Sequence, residues 1–170
     1  MDLRSYIRDV KDFPKEGILF FDITPLLSDP TAFRYSIDAM AERFKDCGAN
    51  KIVAAEARGF LFGAPLAYKM NVGFIPVRKP GKLPYKTTSV TYDLEYGTDS
   101  LNMHVDAVQP GDKVLIIDDL LATGGTTNGM IKLIQGNGGS VAGIGYLIEL
   151  GFLNGASKLE GLPYEYLLKL

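Results

Sequence analysis

The chain has 170 residues, 46% hydrophobic and 22% charged, which excludes a disordered tail protein, a collagen-like chain and a coiled coil. Its formal net charge of −2 argues against a surface built to coat nucleic acid or anionic lipid. A single cysteine, Cys47, forms no internal disulfide, and a single histidine, His104, leaves no material for a His-rich metal cage or a His-based triad.

Nothing at the N-terminus reads as a targeting signal, and no apolar run reaches the ~20 residues of a membrane span. The expectation is a cytoplasmic protein of one domain, residues 1–170, with no membrane or nucleic-acid partner. Leu3, Tyr6, Ile7 and Val10 recur at i, i+3, i+4 and i+7, predicting a short amphipathic helix that Pro14 and Gly17 end. Residues 18–21 are a short apolar run, and Thr24-Pro25 reads as a turn. Asp29-Pro30 reads as an N-cap followed by proline at the first helical position. Phe33, Ile37, Met40, Ala41 and Phe44 follow at helical spacing, with Gly48 beyond the end.

Residues 51–55 predict a strand, 59–70 a helix despite Pro65, and 72–77 a second strand. Residues 78–100 are polar and carry Pro80, Gly81, Pro84 and Gly97; they read as one long loop, a length associated with function. Residues 101–104 predict a strand and Pro110-Gly111 a turn. The unbroken run Val114-Leu115-Ile116-Ile117 marks a strand buried on both faces. A helix over 125–135, a strand over 141–150 and a final apolar stretch over 164–168 complete the chain. Strands alternating with helices predict an α/β fold, a parallel sheet flanked by helices.

The chemistry concentrates in residues 114–129, VLIIDDLLATGGTTNG. In open α/β sheets ligands bind beyond the carboxyl ends of the strands, where Asp118 and Asp119 are placed. Ala122-Thr123-Gly124-Gly125-Thr126-Thr127 then leads into a helix. Its glycines let the backbone approach a ligand, its N–H groups and the helix N-terminus favour an anion, and Thr123, Thr126 and Thr127 offer hydroxyls. It is neither a P-loop nor a GxGxxG fingerprint. Two carboxylates beside a phosphate make sense if sugar hydroxyls or a divalent metal take their lone pairs; otherwise they cap a helix. A sugar phosphate is the ligand that meets both halves.

This acid-acid-small-Thr-Gly-Gly-Thr arrangement resembles the phosphoribosyl-diphosphate (PRPP) signature of type I phosphoribosyltransferases. Phe13-Pro14-Lys15-Glu16-Gly17-Ile18-Leu19-Phe20, Glu56-Ala57-Arg58-Gly59-Phe60-Leu61-Phe62-Gly63, Arg78-Lys79-Pro80-Gly81-Lys82-Leu83-Pro84 and Leu94-Glu95-Tyr96-Gly97 resemble the adenine phosphoribosyltransferase family. The resemblance covers residues 13–150. It implies a small N-terminal hood over about 1–28, a mobile catalytic loop over about 78–100, and conversion of adenine and PRPP to AMP and pyrophosphate with magnesium carried mainly by the diphosphate. It further implies that Ala122, Thr123, Gly124, Gly125 and Thr126 hold the 5-phosphate, and Asp118 and Asp119 the ribose hydroxyls. Arg58, Arg78, Lys79 and Lys82 would meet the diphosphate. Leu19, Phe20 and Arg58 would meet adenine, and Glu95 would act as catalytic acid/base. No dedicated protein metal cage is expected. A homodimer is implied, with Arg78 reaching the neighbour's site. Phe21 departs from the family, many members of which carry arginine there. Three other readings are a transferase for another purine base, a non-catalytic PRPP-sensing regulator and a generic nucleotide-binding α/β module, the last opposed by the paired aspartates before the Gly-Gly turn. The LEYG and ARGF segments favour adenine. The chain has no room for a DNA-binding domain.

Overall fold

A computed structural model describes residues 1–93 and 97–170, with Asp93 described by its backbone alone. Five strands form a parallel sheet: β3 (Lys51–Ala55), β4 (Gly73–Val77), β7 (Lys113–Leu121), β8 (Ser140–Glu149) and β9 (Tyr164–Lys169), in the order β4-β3-β7-β8-β9. Helices α2 (Pro30–Phe44) and α3 (Arg58–Met70) cover one face; α4 (Gly125–Gly136) covers the other. The expected parallel α/β architecture is the one observed.

The central strand shows why. Val114 and Ile116 enter the core beneath α4, while Leu115 and Ile117 enter the core beneath α2 and α3. Alternate side chains of a strand point to opposite faces, so a run with no polar break requires cover on both. Asp29 caps α2, accepting from Thr31 N and Ala32 N at 2.9 and 2.8 Å, with Pro30 at the first helical position. Pro65 is accommodated inside α3. At Gly63 a Cβ would lie 2.8 Å from Ala54 Cβ, so glycine lets that helix press onto β3.

Three local expectations change. The predicted N-terminal helix is a 3-10 turn over Leu3–Tyr6, after which β1 (Arg8–Lys11) pairs antiparallel with β2 (Leu19–Asp22). Leu3 and Ile7 are buried all the same; two buried positions four apart suit either geometry. Thr24-Pro25 opens a short helix, α1 (Thr24–Ser28), with proline in its first turn. The stretch read as one loop over 78–100 is largely a hairpin: β5 (Thr87–Asp93) pairs antiparallel with β6 (Thr98–His104). Threonine, valine and tyrosine in alternation favour that pairing; the flanking prolines and glycines masked it.

Chain direction explains where a ligand belongs. From β3 the chain crosses to β4 on one side, and from β7 it crosses to β8 on the other. The gap between the carboxyl ends of β3 and β7 is the topological switch point, where open α/β sheets bind ligands.

Candidate active site

Two turns meet at that switch point. One leaves β3 as Glu56-Ala57 and enters α3 at Arg58; the other leaves β7 as residues 122–124 and enters α4. Gly59 permits the meeting: a Cβ there would stand 3.0 Å from Asp118 Oδ1 and 3.3 Å from the Ile117 carbonyl oxygen. Ala55, Glu56, Ala57, Arg58, Asp118, Asp119, Leu120, Ala122 and Thr126 line one cleft of about 240 Å³. A larger hollow of about 510 Å³ lies between α2 and α3. Its charges are already paired, Lys69 with Asp38 at 3.0 Å and Lys45 with Glu42 at 2.5 Å, and it gathers no reactive constellation.

The two aspartates differ in environment. Asp119 is 5% exposed and its Oδ2 lies 2.9 Å from Arg58 Nε. Burial raises its pKa, against the pull of the Arg58 guanidinium. Asp118 accepts from Asp119 N at 2.9 Å. Burial, then the neighbouring Asp119 charge, push its carboxyl well above the usual carboxylate range. The pair therefore presents one carboxylate matched to an arginine and one carboxyl whose ionisation is disfavoured by burial and by its neighbour.

The phosphate-type loop stands on backbone packing. Gly124 has φ +79°, and Asn128 N donates to its carbonyl at 3.0 Å. Behind the loop, two 3-10 turns over Gly151–Leu153 and Gly155–Lys158 follow β8. A Cβ at Gly155 would fall 2.2 Å from the Ala122 carbonyl oxygen, and one at Gly124 would fall 2.4 Å from the Gly155 carbonyl oxygen. Asn128 Nδ2 donates to the Lys158 carbonyl at 3.1 Å, tying the same turn to α4. Thr127 is a correction to the sequence reading: its hydroxyl is buried and bonded to the Tyr146 hydroxyl at 2.7 Å, facing the core rather than a ligand. Burial raises the Tyr146 pKa, so that phenol stays neutral.

The residues expected to form a hood come to the same place. The Arg58 guanidinium lies 5.5 Å from the centre of the Phe20 ring, which meets Phe13 edge-on at 5.1 Å. Leu19 is 45% exposed beside them on β2. Phe21, the departure noted above, carries the Arg4 guanidinium over its ring at 5.9 Å.

Of the predicted cations, Arg78 Nε lies 3.5 Å from Glu56 Oε1. Lys79 N donates to the same oxygen at 2.6 Å, which holds Glu56 below its usual pKa with help from Arg78. Lys79 Nζ pairs with Asp99 on β6. Lys82 joins through its backbone, its carbonyl accepting from Arg78 Nη1 at 3.2 Å. Glu95 lies outside the described residues, with Leu94 and Tyr96. The sequence reading missed Gly155, Tyr146, Tyr92 and Asp99, and gave Glu56 no role of its own within its turn. Only the glycine spacing over 151–161 hinted at a second backbone approach.

The family described as Phosphoribosyl transferase domain matches residues 24–161. The chain is 64% identical to an adenine phosphoribosyltransferase of Maridesulfovibrio salexigens, covering 100% of both chains. The chain belongs to the adenine phosphoribosyltransferase family. A second relative under that name, from Solidesulfovibrio magneticus, is 65% identical over 100% of this chain and 99% of its own. Among solved structures, adenine phosphoribosyltransferase from Thermoanaerobacter pseudethanolicus superposes with a TM-score of 0.97 at 54% identity, covering 99% of this chain and 98% of that one. The Saccharomyces cerevisiae enzyme, solved with adenine and an imino-altritol bisphosphate, gives 0.91 at 38% identity, covering 97% and 96%. The adenine phosphoribosyltransferase fold thus spans essentially the whole chain, β1 and β2 included.

Proposed function

We propose that the protein transfers the phosphoribosyl group of PRPP to adenine, releasing pyrophosphate and forming AMP for purine salvage. One observation carries the reading: Arg58 joins the hood ring of Phe20 to the acid Asp119, within a cleft that Ala122 and Thr126 of the phosphate-type loop also line. On this reading the base slot, the sugar acids and the phosphate cradle are contiguous, in the order those groups occur along AMP.

In this mechanism Ala122, Thr123, Gly124, Gly125 and Thr126 hold the 5-phosphate through backbone N–H groups and hydroxyls at the start of α4. Asp118 and Asp119 accept from the ribose hydroxyls and stabilise the positive charge that develops at C1 as the diphosphate departs. Arg58, Arg78, Lys79 and Lys82 balance the departing charge. Adenine is held between Leu19 and Phe20 of the hood and the Arg58 guanidinium. Glu95 removes the ring proton of adenine as the nitrogen attacks C1. Glu95→Gln is expected to lower kcat about 10²-fold with PRPP affinity little changed; unchanged turnover in single-turnover kinetics would remove Glu95 from the chemistry.

Among the described residues no cluster of three or more His, Cys, Asp or Glu forms a metal site. The donor set fits magnesium that arrives on the diphosphate, with Asp118 and Asp119 available to its waters. That ion supplies charge neutralisation to the leaving group.

No described helix is long and apolar enough to cross a membrane, and the reading is of a cytoplasmic enzyme. The reading is also of a homodimer, for which the outer face of α3 is a candidate interface. There Leu61 is 41% and Tyr68 91% exposed, seven residues apart on the helix that begins at Arg58.

The deciding test offers PRPP and magnesium with adenine, hypoxanthine, guanine and xanthine in parallel, reading nucleotide and pyrophosphate. AMP from adenine alone is expected. Turnover of an oxopurine overturns the base assignment, and PRPP binding without turnover of any base favours a sensor.

A further inference from the structure

Beside the cleft, where the Lys79 backbone N–H meets the lining residue Glu56, lies an ion pair that the reaction leaves unexplained. Lys79 Nζ is hydrogen-bonded to Asp99 Oδ2. Asp99 has two further donors: Ser100 N to Oδ1 at 2.8 Å and the Tyr92 hydroxyl to Oδ2 at 3.3 Å. Tyr92 is itself fixed. It is 6% exposed, its ring packs where a Cβ on Gly129 would stand 3.2 Å away, and its hydroxyl lies 3.5 Å from Thr126 Oγ1 in the phosphate loop.

The two members of the pair are therefore unequal. If Lys79 swings away, Asp99 keeps two hydrogen-bond donors and is not stranded as a bare charge. Lys79 carries its charge on a flexible four-carbon stem, with a side chain 39% exposed. Burial disfavours its charged form, yet bonding to Asp99 and the nearby Tyr92 outweighs this and raises its pKa. It is a retained cation with a fixed parking place beside the cleft.

We propose that Asp99 is a positioning residue that competes with the diphosphate for Lys79, holding the ammonium when the diphosphate subsite is empty and taking it back as pyrophosphate leaves. The proposal rests on the reading of Lys79 as a diphosphate ligand. A diphosphate carries several negative charges and wins the lysine from a single carboxylate. The carboxylate still weakens the bound state, because the lysine must be withdrawn from it. Asp99 thus trades pyrophosphate affinity for release, without touching substrate.

The test titrates the full chain with pyrophosphate plus magnesium by calorimetry, for the unaltered protein, Asp99→Asn, Asp99→Glu, Lys79→Ala and the Asp99→Asn/Lys79→Ala double variant. Asp99→Asn is expected to bind pyrophosphate roughly 2- to 5-fold tighter, the range of a partly exposed ion pair, and to lower KM for PRPP, with adenine affinity unchanged. Asp99→Glu restores the weaker binding. Lys79→Ala weakens it, and the double variant matches Lys79→Ala. Loosened structure alone would weaken binding, so the gain separates positioning from support. Unchanged or weaker binding by Asp99→Asn, where Lys79→Ala does weaken it, overturns the competition. Tighter binding that persists in the double variant also overturns it, since the carboxylate would then act by charge alone. If Lys79→Ala leaves pyrophosphate affinity intact, the assignment of Lys79 itself falls.

Discussion

Gly155→Ala is expected to lower kcat/KM for PRPP about 10²-fold or more, although Gly155 belongs to neither turn that lines the cleft. A Cβ at this position would fall 2.2 Å from the Ala122 carbonyl oxygen and 3.0 Å from Leu121 Cδ1. The first contact is with backbone, so no side-chain rotation relieves it. Either the turn over Gly155–Lys158 retreats or the phosphate loop moves toward the ligand. A shift near 1 Å in a positioning element costs about 10²-fold in rate. The opposing approach, Gly124 against the Gly155 carbonyl at 2.4 Å for an added Cβ, leaves no slack on the other side. Gly136→Ala, at the end of α4 with open space around it, is the matched control; its effect stays within about 0.5 kcal/mol. The check is steady-state kinetics with PRPP as the varied substrate, and an unaltered KM and kcat for Gly155→Ala would mean that the loop is not braced from behind.

Asp118→Asn is expected to cost activity and add stability. Neutralising a group that meets developing charge costs about 10²–10³-fold in kcat. The stability gain follows from the direction of the pKa shift. Burial, then the Asp119 charge, raise the Asp118 carboxyl, so the folded protein holds this proton more tightly than the unfolded chain. Between the ordinary carboxylate range and the raised folded value, the ligand-free protein loses stability as pH climbs. Asparagine has the same shape, keeps an oxygen for Asp119 N, and carries no charge to bury. The variant should therefore melt at a higher temperature than the unaltered protein at pH 7, with the advantage shrinking as pH falls from the raised folded value toward the ordinary carboxylate range. Melting scans without ligand at several pH values check this. A lower melting temperature at pH 7 would mean that the ionised form is not disfavoured. The functional reading is a site that stores an unfavourable charge until a sugar and its cation arrive.

The residues that were easy to read are those whose neighbours lie close in the chain. Asp29 caps its own helix three residues on, Val114 to Ile117 announce a doubly covered strand, and the Asp118–Thr126 segment carries acids, glycines and threonines at one strand-to-helix turn. The hairpin over residues 87–104 was harder, because its pairing depends on partners up to seventeen positions apart, as at Thr87 and His104. Thr127 was misread because its hydroxyl could face out or in, and the choice depends on Tyr146, nineteen residues away.

By itself the sequence determined the alternation of strands and helices, the buried central strand and the phosphate-type turn, because periodicity and turn chemistry act over a few residues. The switch point between β3 and β7, the bridge from Phe20 through Arg58 to Asp119, the backbone brace of Gly155 and the Asp99–Lys79 pair were decided only by tertiary structure. Each joins segments far apart in the chain. Their encounter depends on strand order and on a Cβ that is absent at one point of closest approach, and neither property is encoded in any local run of residues.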